Sequence, residues 1–128
     1  MFRIRKIIAS ITLMLIILTG CSSEASLTNE EKVTGVVNNY LEALESKDIS
    51  AMVKYTDDLR FPDKEEQKKQ YKNIEEEITD TKIVEVKQVS EIEFKATVEI
   101  VSDGKLNELT FPIQKQEEDW KIIVGQDF

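Results

Sequence analysis

The densest grouping of reactive side chains is Asp57, Asp58 and Arg60, flanked by Tyr55 and Phe61. A carboxylate beside aromatic rings and a guanidinium is suited to general acid–base work if burial brings its pKa toward neutrality. The plainer alternative, a solvated loop with a helix cap, is the reading that the sequence favours. The runs Glu75-Glu76-Glu77 and Glu117-Glu118-Asp119 offer the oxygen ligands that Ca2+ takes, but neither has the spaced ligands and glycine of a calcium loop. Both read as solvated surface, and no metal site is expected. Tyr40, Tyr55, Phe94, Phe111 and Trp120 are candidates for a pocket that takes a small apolar or aromatic ligand, although core packing calls on the same residue types. Histidine is absent from all 128 residues, which removes the group that titrates nearest neutrality and every Ser/His or Cys/His nucleophile. No catalytic residue is assigned and no cofactor is implied.

Charge narrows the partners. Residues 1–20 hold three of the 17 basic side chains and none of the 25 acidic ones. Residues 21–128 therefore set 14 basic against 25 acidic groups, a net charge of −11. Such a body cannot neutralise phosphates by counterion release, so nucleic acid is excluded as a partner. The length fits one domain with one core. A single cysteine, Cys21, excludes an intramolecular disulfide.

The surroundings of Cys21 give it another fate. Arg3, Arg5 and Lys6 precede an apolar run from Ile7 to Leu18, and the run closes in Leu18-Thr19-Gly20-Cys21. This is the layout of an export signal. As a helix the run spans roughly 18 Å, well short of the roughly 30 Å hydrocarbon core of a bilayer. The closing tetrad resembles the bacterial lipoprotein signal, or lipobox. That resemblance implies cleavage between Gly20 and Cys21, a diacylglyceryl thioether on Cys21, and a chain anchored on the extracytoplasmic face of the cell membrane. Two acyl chains anchor stably where one would be marginal. The expected organisation is a signal peptide over 1–20, the lipidated Cys and a polar tether over 21–27, and one domain over 28–128.

The domain must then position its side chains. Thr28-Asn29-Glu30-Glu31 matches a capping box. Val33, Val36, Val37, Tyr40, Leu41 and Leu44 follow as an apolar stripe at helical period. Asp48 can cap a short second helix with Ile49, Met52 and Val53, and Thr56 to Pro62 breaks it. Asp63 can cap a mostly solvated third helix reaching about Thr79, with Tyr71, Ile74 and Ile78 on a thin stripe.

From Thr81 the period becomes two. A loop at Val89-Ser90-Glu91 pairs Val86 with Phe94 and Val84 with Ala96, and sets Lys87 against Glu93 and Glu85 against Lys95. The Asp103-Gly104 turn pairs Val98 with Leu109, Ala96 with Phe111 and Phe94 with Ile113. A loop over Gln116 to Asp119 places Ile122 opposite Ile113 and Val124 opposite Phe111. Pro112 lacks an N–H for an interior strand, which predicts a bulge or bend near it. The result is an α+β fold of about three helices followed by a four-stranded antiparallel meander.

This order resembles the NTF2-like superfamily, a cone made by a curved sheet wrapped around a long N-terminal helix. Tyr40-Leu41-x-Ala43-Leu44 with Asp48, Met52 and Tyr55 looks like its helical opening, and Asp119-Trp120-Lys121-Ile122 like its closing strand. A lipobox followed by such a domain is similar to small lipoproteins of the DUF4878-like type. The superfamily includes isomerases, dehydratases and cyclases as well as domains that only bind, so the fold does not decide function. Its enzymes project a His or a carboxylate into the cone. The expected inner face here carries no ionisable side chain, while Glu85, Glu93, Glu99 and Glu108 fall on the outer face. The expected function is a non-catalytic, membrane-anchored module that binds an envelope protein or a small apolar ligand. The alternatives are an isomerase or cyclase using Asp57 or Asp58 as base, and an immunity-type protein whose acidic exterior captures a cationic partner.

Overall fold

The computed structural model describes residues 27–126. Cys21, Gly20, the expected signal peptide and the expected tether up to Ser26 lie outside the described residues. Among the described residues the buried hydrophobic core runs from Val33 to Ile123.

Thr28 Oγ1 accepts from the Glu31 amide at 3.1 Å, and Glu31 Oε1 accepts from the Thr28 amide at 3.0 Å. This reciprocal cap starts α1, Asn29–Ser46. The bond from the Thr28 backbone, then that with its hydroxyl, holds the Glu31 carboxyl below its ordinary value. At 1.5 Å per residue α1 is about 27 Å long. Val33, Val37, Tyr40, Leu41 and Ala43 are its buried residues, and it lies against β2 and β5, the strands introduced below. The helix stops at Lys47, whose φ of 58° is left-handed. Asp48 then caps α2, Ile49–Tyr55, by accepting from the Ala51 amide at 3.1 Å. Asp63 caps α3, Lys64–Tyr71, through the Glu65 amide at 2.9 Å.

The third helix is eight residues long and ends before the expected Thr79. Tertiary pairing overrides local propensity there. Glu77 donates its amide to Asp103 Oδ1 at 3.1 Å and accepts from the Asp103 amide at 2.9 Å, so the chain is already extended when it reaches Ile78. Ile78 is buried, whereas Ile74 is half exposed.

Five strands form one sheet in the order β1-β5-β4-β3-β2: β1 Thr56–Asp58, β2 Ile78–Ser90, β3 Glu93–Ser102, β4 Lys105–Gln116 and β5 Asp119–Val124. This corrects the expected four-stranded antiparallel sheet, because Thr56-Asp57-Asp58, read as a helix-breaking loop, pairs in parallel with Ile122-Ile123-Val124. The β3–β4 register is as expected, including Phe94 with Ile113 and Val98 with Leu109. The β4–β5 ladder runs from Gln116 with Asp119 to Ile113 with Ile122 and ends there. Val124 does not face Phe111 in that ladder; it pairs with Asp58 instead. The ladder ends beside Pro112, which has no amide hydrogen to donate.

The β2–β3 register departs further. Val86 faces Ala96 rather than Phe94, and Lys87 faces Lys95 rather than Glu93. Register shifts fall between Thr79 and Lys82, between Ile83 and Glu85, and between Gln88 and Ser90, each placing the additional residue on β2. A bulge resets the alternation of faces and bends the strand. Hence Ile83 and Val86 pack on the core while Val84 and Val89 stay about half exposed.

Candidate functional site

Between α1 and the inner face of the sheet lies a cavity of about 540 Å³, within the size range of pockets that enclose small ligands. The C-terminal half of α1 supplies Tyr40 and Leu44, and its cap supplies Lys47. Ile49 and Met52 come from α2, Tyr71 from α3, and Lys72, Ile74 and Glu76 from the segment after it. Ile78, Ile100, Leu109, Phe111 and Val124 form the sheet side, and Arg60 reaches in from the segment after β1.

The sequence candidates divide. Tyr40 and Phe111 line the cavity and meet edge to face, their ring centroids 6.0 Å apart. Phe94 and Trp120 also meet edge to face, at 5.3 Å, but within the core and away from the lining. Tyr55 is half-buried on α2 with Lys54 Nζ 5.3 Å from its ring centroid. Asp57 is half-buried and accepts from Gln116 Nε2 at 2.9 Å, which ties β1 to the β4–β5 turn.

Asp58 is the main correction. Far from being a solvated loop residue, it is 1% exposed. Its Oδ1 accepts from Arg60 Nε at 2.9 Å and from the Arg60 amide at 3.0 Å; its Oδ2 accepts from Arg60 Nη2 at 2.7 Å and from the Tyr71 hydroxyl at 2.6 Å. Burial pushes the carboxyl upward, but these hydrogen bonds outweigh it and leave Asp58 below its ordinary value. The same contacts raise the Arg60 pKa. Asp58 is thus an anion at neutral pH with its acceptor positions occupied. The expectation of an inner face without ionisable side chains fails at β1, which brings in a buried acid that Arg60 pairs and Tyr71 hydrogen-bonds.

A connected network supports this pair from below. Thr56 and Gln67 are fully buried. Thr56 Oγ1 donates to the Met52 carbonyl at 2.7 Å and accepts from Gln67 Nε2 at 2.8 Å. Lys64 Nζ donates to the Thr56 carbonyl at 2.7 Å and lies 3.4 Å from Gln67 Oε1. Desolvation lowers the Lys64 pKa, with nearby Asp57 and Asp58 opposing. Buried polar groups must be paired to be tolerated, and these are. Helices α2 and α3 are fastened to β1 in this way, which fixes the Asp58 end of the cavity.

Tyr40 is different. It is 7% exposed, and among the described residues its hydroxyl has no hydrogen-bond partner. Burial raises its pKa, and neighbouring Tyr71 and Asp58 add to the effect, so at neutral pH it is a protonated donor. A buried hydroxyl left unpaired costs about 1–3 kcal/mol.

Neither Tyr71, Gln67 nor Lys64 was legible as a site residue: α3 reads as a solvated helix, and Tyr71 as part of its thin stripe. The Asp-x-Arg spacing of Asp58 and Arg60 was the available signal. Among the described residues no cluster of three or more His, Cys, Asp or Glu could hold a metal ion. Among them, too, no helix is long and apolar enough to cross a membrane.

Comparison with solved structures gives the fold a name. The chain is similar to a ketosteroid isomerase-like protein from Erwinia carotovora atroseptica SCRI1043, with TM-score 0.54 and 18% identity over 74% of this chain and 92% of that one. It is also similar to an NTF2-like protein of unknown function from Pseudomonas putida KT2440, with TM-score 0.53 and 8% identity over 74% and 82%. A sec-c motif containing protein from Psychrobacter arcticus gives TM-score 0.53 and 11% identity over 84% and 68%. The fold is NTF2-like, with three helices and a five-stranded mixed sheet. No family model matches the chain, and no curated protein matches it.

Proposed function

We propose that this chain is an extracytoplasmic lipoprotein, held to the cell membrane through Cys21, whose NTF2-like domain binds a small ligand without transforming it. One observation carries the binding half: a largely apolar cavity of about 540 Å³ whose lining includes Arg60 and Tyr71, both held by the buried Asp58 carboxylate behind them. A general base near neutrality needs a raised carboxyl pKa and an open acceptor lone pair, and Asp58 offers neither. Its role is to orient Arg60 and Tyr71 at the end of the cavity. The anchoring half rests on Leu18-Thr19-Gly20-Cys21.

Fractionating cells that express the wild type or Cys21→Ala tests the anchor. The wild type is expected with the membrane and Cys21→Ala in the soluble extracytoplasmic fraction; retention of the variant on the membrane overturns the lipid anchor. Native mass spectrometry of the fragment Ser22–Phe128, purified gently, is expected to show excess mass of small-molecule size. A second reading, an isomerase or cyclase, draws on the burial of Asp58 beside Tyr71. It requires an Asp58 pKa above the ordinary carboxyl range, which an NMR titration of its side-chain carbonyl measures directly.

A further inference from the structure

We infer that the cavity binds an amphiphilic anion, an apolar body carrying a carboxylate-type head, with Lys47 and Lys72 drawing the head to the mouth. The inference rests on the binding reading above and specifies its ligand. Charge complementarity supports it. The chain as a whole is acidic, with 25 Asp and Glu against 17 Lys and Arg. The lining reverses that balance: Lys47, Lys72 and Arg60 against Glu76 and, behind Arg60, its partner Asp58. Arg60 is partly spent on Asp58, but Nε and Nη2 make those bonds, and the guanidinium has further N–H donors.

Lys47 and Lys72 are exposed and make no ion pair among the described residues, so their charge is available at the mouth. Behind them the lining is aliphatic and aromatic, with Leu44, Met52, Ile100 and Phe111. An apolar body therefore has a place to desolvate, and a cationic head would meet like charge.

Isothermal titration calorimetry of the fragment Ser22–Phe128 with dodecanoate, dodecan-1-ol and dodecylammonium, each below its aggregation concentration at neutral pH, tests this. The three probes share one tail and differ in head charge. Dodecanoate is expected to bind about tenfold or more tighter than dodecan-1-ol, with dodecylammonium the weakest. Lys47→Gln with Lys72→Gln is expected to reduce dodecanoate to the level of the alcohol while leaving the alcohol unchanged. Lys47→Glu with Lys72→Glu is expected to reverse the order in favour of dodecylammonium, a gain that misfolding cannot imitate. Equal affinity for dodecanoate and dodecan-1-ol overturns the anionic head and leaves the binding reading standing. Saturable binding of none of the three overturns both.

Discussion

At the scale of single residues, Tyr40 and Asp58 make opposite predictions. Tyr40→Phe removes a buried hydroxyl that has no partner, so the empty domain should keep its stability or gain up to about 1 kcal/mol by urea denaturation. Asp58→Asn should cost about 1–3 kcal/mol, because it strips the charge that Arg60 and Tyr71 are built around. A pH profile separates charge from shape. Since the folded carboxyl lies below its ordinary value of 3.8, its contribution is fully present above that value and is lost as pH falls through the lower folded one. Wild-type stability should fall over that acidic window, and the Asp58 part of the fall should be missing in Asp58→Asn. None of this was readable from Asp57-Asp58 in the sequence. The Tyr71 that accompanies Asp58 arrives from α3, and only folding brings the two within 2.6 Å.

At the scale of elements, legibility followed local signals. Thr28, Asp48 and Asp63 each cap the helix expected after them, because a cap is satisfied by amides a few residues away. Asp103-Gly104 fixed β3 against β4, since both turn residues have positive φ, 51° and 81°. The register of β2 was not readable: its three shifts each break the period-two rule on which pairing arguments rest. One result is Lys87 opposite Lys95, and Lys87→Glu should add a few tenths of a kcal/mol, more at low salt than at high. Two glycines separate backbone from packing. Gly104 has φ 81° and open space around it, so Gly104→Ala should cost only the left-handed backbone, about 1 kcal/mol. At Gly125, with φ 84°, an added Cβ would lie 2.8 Å from Arg60 Cγ and 3.3 Å from Asp58 Oδ1. Gly125→Ala should therefore cost clearly more in urea denaturation and also disturb ligand binding by displacing Arg60.

At the scale of the whole molecule, the charge of residues 21–128, 14 basic against 25 acidic, sets how the domain meets a membrane. The fragment Ser22–Phe128 should not sediment with phosphatidylglycerol vesicles, even at low salt, because like charge repels it from an anionic surface. Sedimentation of that fragment would show a protein-borne attachment. The α+β class and the helix-then-sheet order were legible because the apolar period changes from helical to two only once along the chain. The fifth strand was not, because three residues containing two aspartates carry no pattern that marks them as sheet.

The parallel pairing of β1 with β5 also gives the molecule a direction in time. Thr56 to Asp58 emerge early in synthesis, yet their partners, Ile122 to Val124, belong to the final strand. Until β5 arrives, β1 has no neighbour in the sheet, and Leu59 has no Val124 carbonyl to receive its amide. Helices can form as they appear, but the barrier to this contact lies in its sequence separation. On the proposed lipoprotein reading the chain must stay threadable while it crosses, and a sheet whose first strand pairs only with β5 is, by its order of assembly, a latch set on the final strand.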